Sequence, residues 1–210
     1  VLGRDVFVSV LNFFITTYIA NLLGPEVFGL WIGILSLLAI CDLLFRLKID
    51  QLIVFYSGDF PNNKNLYRKI CNLSIKALIL AGLIIFILDE FIINFFNLSN
   101  LYFLVLIYMN FLISVFANVI LYIFLSESKY NEYNFSILSQ ACINGLFIVI
   151  LFNTSEPSIL LPLISLILSW LSVIIFFIIS RLVNPNTHKD SSKHINLTNK
   201  DILKKGFFIY

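Results

Sequence analysis

Tyr102–Leu125 reads YFLVLIYMNFLISVFANVILYIFL, a run without a single charged side chain. A bilayer's hydrocarbon layer is about 30 Å thick and takes roughly 20 mostly apolar residues to cross as a helix, so this stretch is long enough to span. Similar runs lie on either side of it. The sequence predicts spans at Val6–Leu23, Val27–Tyr56, Ile70–Leu88, Tyr102–Leu125, Tyr133–Phe152 and Pro157–Leu182, with a seventh starting near Ile202 and cut off at Tyr210. The chain is 60% hydrophobic and 12% charged, which fits repeated spans and not a soluble core. The fold class expected is all-α, a polytopic transmembrane bundle. Residues 1–183 would form a six-helix lobe, 184–201 a cytoplasmic linker, and 202–210 the start of a seventh helix. Because the chain opens on Val1 and breaks off inside an apolar stretch, it reads as the N-terminal half of a longer protein.

All 14 Lys and Arg residues fall on one side of this plan. With the N-terminus cytoplasmic, the outward connections at 24–26, 89–101 and 153–156 hold only the acids Glu26, Asp89, Glu90 and Glu156. That is the positive-inside bias, and it orients the chain. Lys76 and Arg181 are expected to snorkel to the interface. The outward loops are too short to build an external catalytic site, so no enzyme is expected. A net charge of +2 spread over several loops excludes a nucleic-acid partner. Cys41, Cys71 and Cys142 read as small buried hydrophobes, with no CxxC spacing. His188 and His194 read as solvated loop residues, so neither a metal nor a cofactor is expected.

Polar side chains inside apolar spans are costly, so their spacing carries the functional information. Asp42, Arg46 and Asp50 recur every four residues and share one helical face, where the cation can pair with either acid. Facing a wet cavity, Arg46 would offer planar donors to a phosphate, and Asp42 or Asp50 would be candidate ion-coupling groups. Set at the headgroup level, the same residues would only anchor the helix. Asn12 and Thr16, then Asn110, Ser114 and Asn118, then Ser136, Gln140 and Asn144 form further seams. Each would either bond helix to helix or line a hydrated path that replaces water around sugar hydroxyls. Trp170 and Met109 read as packing residues, and Pro162 as a possible kink.

The turn Leu22-Leu23-Gly24-Pro25-Glu26-Val27-Phe28-Gly29-Leu30 has its own logic. Gly24 can cap one helix, Pro25 can open the next, Glu26 complements its dipole and Gly29 permits close helix contact. This run resembles the LGPExFG signature of the Wzx-like polysaccharide-export flippases, in the multidrug/oligosaccharidyl-lipid/polysaccharide exporter superfamily. Ile49-Asp50-Gln51-Leu52-Ile53-Val54 and Leu203-Lys204-Lys205-Gly206-Phe207 resemble two later stretches of that family. The resemblance implies two lobes in an alternating-access transporter of the bacterial inner membrane, of which this chain would be the first. It implies a lipid-linked oligosaccharide on undecaprenyl pyrophosphate as cargo, with other polysaccharide-assembly membrane proteins as partners. Asn12, Asn110, Asn118, Gln140 and Asn144 are, with Arg46, the candidate substrate contacts. The alternatives are a cation-coupled multidrug exporter of the same superfamily and a membrane glycan polymerase or ligase. No GxxxxGK[ST] stretch for ATP phosphates occurs.

Overall fold

A computed structural model of the chain describes residues 2–43, 53–54, 64–87 and 101–183. The elements among them are helices: α1 (Leu2–Cys41), α2 (Lys64–Ile87), α3 (Leu101–Ser126), α4 (Tyr130–Thr154) and α5 (Leu160–Val183). A helix satisfies the backbone N–H and C=O groups of its interior from within and leaves only its end turns to be met elsewhere, which suits apolar surroundings. Six spans were expected, and four described helices are long and apolar enough to cross a membrane: Gly3–Cys41, Tyr102–Ser126, Tyr130–Thr154 and Leu160–Val183. The third expected span falls on α2. The linker and the seventh helix lie outside the described residues.

The first two expected spans merge in α1, a 40-residue helix with one break. Unbroken, it would run about 60 Å, twice the hydrocarbon layer. Gly24 alone leaves helical geometry, at φ 73° and ψ 168°. Positive φ is open to glycine without steric cost, and Pro25 then restarts the helix with a fixed φ and no N–H to lose. The break leaves an N-arm, residues 2–23, and a C-arm, residues 25–41. Trp31, Ile34 and Cys41 of the C-arm join Leu104, Ile107 and Phe111 of α3 in one buried cluster.

The N-arm lies parallel to α4. Arg4 Nη1 donates to Asn134 Oδ1 at 2.8 Å near one end, and the rings of Tyr18 and Phe152 meet edge-on near the other. α3, α4 and α5 alternate in direction. The turn after α3 is closed by Ser128 N–H to the carbonyl of Leu125 and Lys129 N–H to that of Phe124, with Ser128 at φ 56°. This is the Schellman arrangement, with serine where glycine is the usual residue. Near the end of α4 the Asn153 and Thr154 side chains fold back and donate to the carbonyls of Val149 and Ile150, sharing acceptors that the helix already uses, and Ser155 N–H closes the last turn on the carbonyl of Leu151. Pro162, expected as a kink, stands in the first turn of α5, where a missing N–H breaks no helical hydrogen bond. Gly82 of α2 takes the Tyr108 ring of α3 so closely that a Cβ would lie 2.7 Å from its hydroxyl.

Candidate functional site

α4 and α5 meet along a line of small polar side chains. On α4, Gln140 and Asn144 follow Ser136 at four-residue spacing, and on α5, Ser165, Ser169 and Ser172 follow the same face. Ser165 Oγ lies 2.7 Å from Asn144 Oδ1 and 2.8 Å from its carbonyl oxygen, within donating distance of both. Gln140 Nε2 donates to Ser169 Oγ at 3.2 Å, and Ser169 donates in turn to the carbonyl of Leu166 at 2.8 Å. Ser136, Asn144, Ser165 and Ser169 are all buried. Asn144 is therefore engaged in joining two helices, and the short serines let the backbones approach. The α5 serines were not singled out in the sequence, where they look like gaps in an apolar run. Their spacing of four and three residues was the available signal.

Next to this seam, toward the α3–α4 turn, α3, α4 and α5 enclose a cavity of about 210 Å³. Asn118, Leu121 and Tyr122 line it from α3, Tyr133, Ile137 and Gln140 from α4, and Trp170 and Val173 from α5. It brings together two of the expected substrate contacts, Asn118 and Gln140. Each amide is anchored through its nitrogen: Asn118 Nδ2 donates to the carbonyl of Ser114 at 2.8 Å, and Gln140 Nε2 to Ser169. Asn118 Oδ1 and Gln140 Oε1 take no hydrogen bond from the described residues and are not buried. Trp170 was expected only to pack. It does pack, against the cluster of Ala117, Leu121, Phe124 and Val173, and it also forms a wall of the cavity.

Compared with protein-family models, curated proteins and solved structures, the chain matches none.

The remaining expected contacts do not converge on this cavity. Asn12 is exposed on the N-arm. Asn110 is buried in α3 with no hydrogen-bond partner for Nδ2 among the described residues. Asp42 is half-buried at the end of α1. Arg46 and Asp50, with Gln51, lie outside the described residues, so the charged stripe is represented by Asp42 alone. Pro25 and Glu26 are exposed beside Gly24. At Gly29, where a close helix contact was expected, a Cβ would meet none of the described residues within 4 Å, so no such contact is made there among them. Gly82 and Gly145 make such contacts instead. A Cβ on Gly145 would come within 3.2 Å of Ile15 on the N-arm.

Two more features frame the cavity. Near its end of the bundle, the Glu127 side chain, 5% exposed, sits between Arg181 and Lys129, with Oε1 2.5 Å from Arg181 Nη2 and Oε2 3.2 Å from Lys129 Nζ. Arg181 therefore does more than snorkel: it closes the end of α5 onto the α3–α4 turn. Arg4 also lies at this end, its guanidinium 5.0 Å above the Tyr133 ring. On the outer side of α4, a groove of about 720 Å³ runs along the N-arm past Leu11, Phe14, Ile15, Leu146 and Val149, with little polar surface. Cys142, expected to be buried, is exposed and faces this groove. In a helix packed within apolar surroundings an outward face accepts a thiol as readily as the core does, so apolar character did not predict burial. Cys41 is buried, and Cys71 lies outside the described side chains. Among the described residues, no group of three His, Cys, Asp or Glu side chains could hold a metal ion.

Proposed function

We propose that the chain is the first lobe of a flippase that carries undecaprenyl-pyrophosphate-linked oligosaccharide units from the cytoplasmic to the outer leaflet of a bacterial inner membrane, supplying O-antigen or capsule. The observation that carries this reading is a cavity with amide and aromatic walls set inside a bundle of apolar helices. A sugar hydroxyl taken from water into hydrocarbon without a partner costs on the order of several kcal/mol, and a pyrophosphate costs more, so unaided crossing is negligible. Amide groups held ready on helix walls replace water at the moment of transfer, while the isoprenoid tail remains among lipid tails. The motif at Gly24, Pro25 and Glu26 supports the same reading, as does the clustering of Arg4, Lys129 and Arg181 at one end of the bundle, which would face the cytoplasm. Rocking of two lobes about the cargo would open the path alternately to each side.

Deletion of the complete gene tests the proposal. Loss of surface polysaccharide, with lipid-linked repeat units accumulating on the cytoplasmic leaflet, is the expected result. Unchanged surface glycan overturns it, and increased drug sensitivity in its place assigns the chain to multidrug export.

A further inference from the structure

We infer that the cavity between α3, α4 and α5 is a subsite for one neutral sugar ring, and that it does not receive the pyrophosphate. The inference deepens the flippase reading and rests on it for the identity of the natural cargo. Size sets the first limit. At about 210 Å³ the space falls below the roughly 300–1,000 Å³ of sites that enclose drug-sized ligands, and it admits a single six-membered ring. Its walls set the second. Trp170, Tyr122 and Tyr133 provide aromatic surface for the C–H faces of a sugar. Asn118 Oδ1 and Gln140 Oε1, on separate helices, are accessible acceptors for its hydroxyl protons.

Charge excludes the nearest competitors. Among the described residues, no cationic and no acidic side chain lines the cavity. A phosphate or a uronic acid would meet the carbonyl oxygens of the two amides, and the nearest cation, Arg4, stands over the Tyr133 ring with its donors engaged by Asp5 and Asn134, so its charge is already largely compensated. An organic cation would be drawn to the aromatic rings, but no carboxylate among the described lining residues would pair with it, and the Arg4 guanidinium already occupies a face of Tyr133. A neutral ring with several hydroxyls fits all of these conditions.

The full-length protein in lipid nanodiscs, titrated with methyl glucoside, N-acetylglucosamine, glucuronate and tetraethylammonium and read by saturation-transfer NMR, tests the assignment. The neutral sugars are expected to bind, with transfer strongest at ring C–H protons, and glucuronate and tetraethylammonium to bind at least tenfold more weakly. Trp170→Leu and Asn118→Leu should each weaken neutral-sugar binding about tenfold. Trp170→Phe, which keeps a ring and protects the fold, should retain most of it. Absence of neutral-sugar binding, preferential binding of either charged probe, or affinity unchanged in both leucine variants overturns the inference. The two readings fail separately. Sugar binding in a protein whose deletion leaves surface glycan intact rejects the flippase and keeps the subsite, whereas normal export by a Trp170→Leu protein that binds no probe rejects the subsite and keeps the flippase.

Discussion

Ser128 holds a left-handed backbone, φ 56°, at the position after α3 where glycine is usually found. A side chain in that conformation costs roughly 1 kcal/mol or more, so Ser128→Gly is expected to stabilise the protein by about 1 kcal/mol in reversible denaturant unfolding in micelles. No change or a loss would mean that the hydroxyl contributes more than the strain removes. Asn110 offers the opposite situation, a buried amide nitrogen without a partner among the described residues. Leaving such a donor unmet costs about 1–3 kcal/mol, while a similarly shaped apolar group avoids that penalty. Asn110→Leu should therefore raise the melting temperature and leave sugar-probe binding unaltered, whereas lower stability would show that the amide is satisfied. Sequence spacing placed Asn110, Asn118 and Asn144 on faces but could not distinguish them. One has an amide nitrogen with no partner among the described residues, one lines a cavity and one bonds a serine 21 positions on, and those outcomes depend on which helix lies opposite.

The helices α3, α4 and α5 are joined at one end by Glu127, Lys129 and Arg181. Removing Arg181 strands a nearly buried carboxylate with one remaining cation, and losses of about 3–5 kcal/mol accompany such breaks. Arg181→Met should destabilise strongly, while Glu127→Gln combined with it should recover most of the loss. A double-mutant cycle with additive effects would show that the pair contributes little. This link was hidden in the sequence because 54 residues separate its members, and a lone arginine near the end of a span looks like an anchor. The break in α1 was more readable, since Gly24 followed by Pro25 interrupts a helix by local stereochemistry alone.

The molecule as a whole places Arg4, Lys129 and Arg181 together, opposite the turn that carries Glu156. If charge bias governs insertion, a cysteine at Asn131 in a cysteine-free background should be labelled by an impermeant maleimide only after the cytoplasmic side is opened. One at Ser155 should react in intact cells, and reversed or equal labelling would reject the orientation. The all-helical class was readable, as were the apolar helices at Tyr102–Ser126, Tyr130–Thr154 and Leu160–Val183, because long apolar runs leave few alternatives. The cavity was not, since its walls come from three helices whose relative rotation is fixed by packing, and Trp170 gave no local sign of facing a void.

The pairing of α4 with α5 also bears on biogenesis. A nascent chain released at residue 158 would present Glu127, Gln140 and Asn144 to lipid with their later partners Arg181, Ser169 and Ser165 not yet made. Pulse-chase measurement should find that product cleared by membrane quality control several-fold faster than one ending at residue 183, because α5, made after α3 and α4, is the helix that shields their polar surface.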